Sequence, residues 1–242
     1  MEKQLLVSVI EKYYLNGIHE KVKWNVKDKK VQILFTSPLK DLAGSVEAEG
    51  FDIDDCTLGI YDTNKLLKLV GITNQYIQIN VESKNNISTK LNIADNEYDL
   101  TYNLADLRMV SVETMVLDES QITFNYSFDI DSEFIERYNK AKKALGSDEV
   151  KIQALFNSES EKGIYVTLGG KTSHDDKISF MAPAPTFELP SSEYQYNANY
   201  LFEIFSENKG AEGVGYFDEN GILKLEFKEE NIKALYYLPP KN

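Results

Sequence analysis

Cations repeated at helical spacing can hold a phosphate backbone without reading bases, and this chain carries such a set at Lys65, Lys68, Arg137, Lys140 and Lys143, with Lys12 as an outlying member. Between Glu136 and Leu145 four cations stand against one acid. That local excess is set in a 242-residue chain whose 26 Lys+Arg face 39 Asp+Glu, a formal net charge of −13. Such a total argues against a generally basic nucleic-acid binder. It leaves room for an acidic protein whose few cations are gathered on one face.

Catalytic chemistry is thinly represented. Gly169-Gly170-Lys171-Thr172 resembles the end of a phosphate-binding loop, but that pattern needs glycine at position 165, where Tyr165 stands. The tetrapeptide also follows a strand-like run without opening a helix, so it reads as a turn. His19 and His174 are the only histidines and Cys56 the only cysteine, and no Ser-His-Asp set stands out. The acidic clusters Asp52-Ile53-Asp54-Asp55 and His174-Asp175-Asp176 lack a complete calcium-loop pattern and read as solvated turns. No metal, cofactor or catalytic residue is expected. A single cysteine suits a reducing compartment, no apolar run is long enough to span a membrane, and the charged first fifteen residues do not form a secretory leader. A cytoplasmic location is expected.

The elements that must carry these cations follow from periodicity. Alternating runs such as Lys30–Phe35, Tyr76–Glu82, Ile87–Ala94, Tyr98–Ala105, Gln121–Ile130, Val150–Asn157, Ile164–Gly169 and Ile222–Lys228 read as strands with one buried face. Asn16-Gly17 marks a turn, and Asp218–Gly221 marks a hairpin. Four segments read as helices: 2–14, 62–70, 131–145 and 197–207. Asp62 or Thr63 caps the second, while Asp131 or Ser132 caps the third and Gly146 closes it. On a helical wheel, Leu66, Leu69 and Val70 point inward and Asn64, Lys65 and Lys68 outward. Phe134, Tyr138, Ala141 and Leu145 form the buried stripe of 131–145, with Lys140 and Lys143 opposite and Arg137 and Lys142 on the flanks. Helix 2–14 offers only Lys3 and Lys12 near its polar edge, and 197–207 offers no cation. The succession of helix, strands, short helix and strands in residues 1–105 recurs in 121–242, after a linker at 106–120.

Leu58–Gly71, Glu133–Lys140 and the ending Tyr236-Tyr237-Leu238-Pro239-Pro240-Lys241 resemble, in the same order, segments of the DNA sliding clamps: proliferating cell nuclear antigen and the clamps of tailed phages. The resemblance implies an α+β fold of two similar domains, each with two helices packed on antiparallel β-sheet, and three copies closing head-to-tail into a ring with the helices lining the hole. It implies a non-catalytic processivity factor that encircles double-stranded DNA without sequence preference and partners a DNA polymerase and a clamp loader. Lys65, Lys68, Arg137 and Lys140 would then face phosphates, with Lys12 and Lys143 as further candidates and Lys21, Lys23 and Lys209 as supplements. A pocket for partner proteins would be formed by Met115, Val116 and Leu117 on the linker with Tyr237 and Pro239. The phage-like segment and the short chain favour a phage origin. The competing reading is a β-rich structural or virion protein with no DNA role; a small hydrolase is disfavoured by the missing nucleophile and base.

Overall fold

The structure is a computed structural model and describes residues 1–110, 119–156, 162–170, 172, 174–184 and 187–241. The chain divides into two compact units, Met1–Met115 with Glu230–Ala234, and Val116–Glu229 with Leu235–Asn242.

In the first unit, α1 (Lys3–Tyr14) lays Leu6, Val9, Ile10 and Tyr13 against the sheet and ends where Leu15 and Asn16 turn left-handed, at φ 46° and 53°. Strands β1 (Val22–Lys27), β2 (Lys30–Thr36), β3 (Ala43–Glu49) and β4 (Cys56–Ile60) form an antiparallel sheet in the order β4-β1-β2-β3. Residues 230–234 join the outer side of β3, where the Glu49 N–H donates to the Asn231 carbonyl (3.0 Å). Helix α2 (Thr63–Gly71) is capped by Asp62, whose carboxylate accepts from the Lys65 N–H at 2.8 Å and satisfies one of the orphan donors of the first turn. Strands β5 (Gln78–Lys84), β6 (Ile87–Ala94) and β7 (Asp99–Asn103) complete the unit. Trp24 lies at the centre of its core, edge-on to Tyr13 and Phe51 at 6.3 and 6.1 Å between ring centroids.

The second unit repeats the plan. It opens with strand β8 (Phe124–Ile130), followed by α3 (Ser132–Leu145), capped by the Asp131 carboxylate accepting from Phe134 N–H at 2.7 Å. Gly146, at φ 64°, supplies the left-handed residue that closes α3. Strands β9 (Glu149–Phe156), β10 (Lys162–Gly169), β11 (Lys177–Pro183) and β12 (Tyr194–Asn197) run in the order β12-β9-β10-β11, the same arrangement as β4-β1-β2-β3. Gly169 and Gly170 turn from β10 towards β11 and open no helix. Helix α4 (Ala198–Glu207) is capped by Asn197, and strands β13 (Glu212–Asp218), β14 (Leu223–Glu229) and the end of β15 (Ile232–Leu238) lie beyond it. The expected Asp218 hairpin is present: its carboxylate accepts from the Asn220 and Ile222 N–H groups at 3.1 and 2.7 Å. The core gathers Phe134, Tyr138, Phe205, Phe128 and Phe227 around α3 and α4.

The units differ in their first strand. β8 pairs with β13 from Ile130↔Gly213 to Phe124↔Asp218, and Gly215 leaves room for the Phe128 ring, which would stand 2.4 Å from a Cβ placed there. In the first unit, among the described residues, Met1 and Glu2 take the corresponding place beside β5. Glu2 bridges Tyr76, the Met1 carbonyl accepts from the Ile77 N–H (3.0 Å), and α1 has already begun at Lys3. No described helix is long and apolar enough to cross a membrane.

Candidate nucleic-acid interface

The cationic faces rest on capped helices anchored by apolar stripes. On α2, Thr63, Leu66 and Val70 are buried while Lys65 and Lys68 are exposed, as their spacing predicts. Neither lysine makes an ion pair with a described residue, so both ammonium groups are available to an incoming anion.

Helix α3 is differently furnished. Phe134, Ile135, Tyr138 and Ala141 are buried and Lys140 and Lys143 exposed. The Lys140 ammonium, however, lies 2.7 Å from Glu136, and that ion pair holds the Glu136 carboxyl below the usual range. Lys143 stands over the Phe202 ring of α4 at 5.5 Å, and Arg137 stands over Phe180 of β11 at 5.6 Å. Arg137 is half-buried. Its Nε is enclosed without a hydrogen bond, 3.8 Å from the Glu133 carboxylate. Exposed ion pairs of this kind are weak and screened by salt, so a phosphate can compete for these cations, at a cost that Lys65 and Lys68 do not carry.

Lys12 corrects the wheel reading. It is only 3% exposed, because α1 packs against both β3 and α2 and is covered over a wider arc than its apolar stripe suggests. It presents no solvent-facing ammonium. Lys3 is occupied elsewhere, donating to the Thr73 carbonyl at 2.5 Å, beyond the last turn of α2. That contact suits the negative end of a helix dipole.

Of the proposed pocket, Met115, Val116 and Leu117 lie outside the described residues. Tyr237 is 8% exposed and Pro239 is exposed. The Tyr237 hydroxyl donates to the Glu119 carboxylate, and burial, then that carboxylate, push its pKa up. The Lys224 ammonium binds the same carboxylate at 2.9 Å and lies over the Phe124 and Tyr216 rings. Glu119 and Lys224 are not evident as site residues in the sequence, because they meet Tyr237 only through long-range pairing.

His19 is buried against Phe35, ring centroids 4.6 Å apart, and burial lowers its pKa to about 4, opposed by the Thr36 backbone and Asp41. The Cys56 thiol is half-buried and raised, first by that burial and then by Asp54 and Asp55, the reverse of an activated nucleophile.

No protein-family model and no curated protein matches this sequence. Solved structures do. A. fulgidus PCNA, in a structure with the C-terminal region of FEN-1 bound, is similar over 100% of this chain and 97% of its own, with a TM-score of 0.79 and 16% identity. Proliferating Cellular Nuclear Antigen from Entamoeba histolytica matches over 100% of this chain and 96% of its own, with a TM-score of 0.76 and 18% identity. The chain has the PCNA sliding-clamp fold over its whole length.

Proposed function

We propose that this chain is the subunit of a DNA sliding clamp, a processivity factor that encircles duplex DNA and tethers a replicative polymerase without chemistry of its own. The observation that carries the reading is the full-length clamp fold with exposed cations on α2 and α3, in a chain of net charge −13. Lys65 and Lys68 would make the most direct phosphate contacts, with Arg137, Lys140 and Lys143 joining as their intramolecular contacts yield. A topological link needs little affinity, so these contacts can be few and independent of sequence. The acidic remainder would repel DNA from other surfaces.

The ring is a homotrimer closed head-to-tail, and a clamp loader and a polymerase are its partners. FEN-1 binding by A. fulgidus PCNA supports a docking site for partner proteins. Here that site would include Tyr237 and Pro239, with Met115, Val116 and Leu117. The phage-clamp resemblance of Leu58–Gly71 supports a phage origin and the host cytoplasm as the place of action.

Loading onto circular and linear DNA tests the proposal. The chain should persist on circles and run off free ends; equal loss from both would overturn the reading. Lys65→Glu combined with Arg137→Glu should abolish polymerase stimulation while the trimer mass, measured by light scattering, stays unchanged.

A further inference from the structure

The first unit exposes a strand edge that its counterpart in the second unit covers. Strand β5 pairs with β6 on one side, and on the other no described strand lies beyond Met1 and Glu2. The Ile77 N–H points away from β6, to the Met1 carbonyl. Alternation then sends the N–H and C=O groups of Ile79 and Val81 in the same direction. Ile79 and Val81, with Asn80 and Ser83, line a groove of about 630 Å³. Its opposite wall comes from the β1–β2 turn and the loop before β4: Asp28, Lys29, Asp52, Asp54 and Asp55. Four carboxylates stand there against one ammonium. Lys29 pairs with Asp52 at 2.8 Å, and Asp55 accepts the Asp28 backbone N–H at 2.9 Å.

We propose that the β5 edge is a docking site for an extended, basic segment of a partner protein, which adds as a strand beside Ile79 and Val81 and places its cations against Asp28, Asp52, Asp54 and Asp55. Unsatisfied edge groups supply affinity by backbone pairing, and the acidic wall selects the partner. The sign of that wall disfavours duplex DNA. A second copy would bring the same carboxylates to the same groove, so like charges oppose pairing of two β5 edges. The bulge between Glu82 and Ser83 ends the regular edge and limits the docked strand to the stretch before it. This site does not depend on the DNA-facing helices, and its test stands apart from the loading assay.

The probe is a fluorescein-labelled peptide of about eight residues, one strand's length, alternating lysine with valine. Its binding to the intact chain is read by anisotropy. Binding should weaken at high salt and protect the Ile79 and Val81 amides from hydrogen exchange. Val81→Pro removes an outward N–H while sparing the β6 pairing, a placement an edge strand tolerates, and should weaken binding on the order of tenfold. Asp54→Lys with Asp55→Lys should weaken it by a similar factor. Should the variants misfold, the native chain still decides the matter, because a probe with alternate backbone amides methylated must fail to bind. Absence of binding, equal binding of the methylated probe or of a glutamate-valine probe, or self-association of the chain that Val81→Pro abolishes would each overturn the proposal.

Discussion

The first unit and the second run their sheets in matching order, β4-β1-β2-β3 against β12-β9-β10-β11, yet treat their edges and cations in opposite ways. In the second unit β8 closes the edge of β13, and α3 ties Arg137, Lys140 and Lys143 to neighbouring rings and carboxylates. In the first unit, among the described residues, no strand pairs with β5 beyond Met1 and Glu2, and Lys65 and Lys68 make no ion pair. A duplicated plan therefore does not imply duplicated surfaces. Among the described residues, the second unit engages its α3 cations internally, and the first leaves Lys65 and Lys68 without ion pairs and the outer edge of β5 at Ile79 and Val81 without a strand partner.

Substitution at the two edges should break this contrast most sharply. Gly215→Val, in β13, drives a side chain into the Phe128 ring and should cost about 3 kcal/mol, measured by urea unfolding. Asn80→Val on exposed β5 should change stability by less than about 0.5 kcal/mol. Equal losses would show that the β5 edge is as tightly covered as that of β13.

Acid should separate the units next. The folded pKa of His19, about 4, lies below its ordinary value near 6.5, so the unfolded chain binds a proton that the native state excludes. Stability is then lost as pH falls through 6.5 towards 4, by about 2 kcal/mol between pH 7 and pH 5. His19→Gln should flatten that dependence of melting temperature, and amide exchange should locate the early opening in the first unit. An unchanged pH profile would remove His19 as the cause.

The smallest difference is expected between the cationic helices. Lys65→Ala should lower the slope of log affinity against log salt for DNA by about 1, a full phosphate contact. Lys140→Ala should lower it by less, because Glu136 already screens that ammonium. Identical slopes would mean that the Glu136 pair dissolves on binding.

Helix α1 is legible from its 3.6-residue apolar stripe alone, whereas α2, α3 and α4 combine such a stripe with a local signal: Asp62, Asp131, Asn197 and Gly146 act on residues a few positions away. The burial of Lys12 is not legible, since a wheel shows what a helix offers and not what packs around it. Ala43–Glu49 forms β3 although its small residues carry little strand preference; its pairing with Lys30–Thr36 decides the matter. The lysines of α2 and α3 are readable as exposed, but their ring and carboxylate contacts with β11 and α4 are not. The acidic groove is hidden for the same reason, its walls being drawn from residues 28–55 and 79–83, which only the fold brings together.

Residues 230–234 belong to the first unit although they follow most of the second in the sequence. A ribosome synthesising this chain supplies residues 116–229, most of the second unit, before the segment that flanks β3. Until then the outer side of β3 is bare, a strand edge able to pair with a nascent neighbour. The first unit can therefore begin folding early but cannot finish until residues 116–229 have been made, and a truncation before Glu230 would damage a unit whose other residues all precede 116.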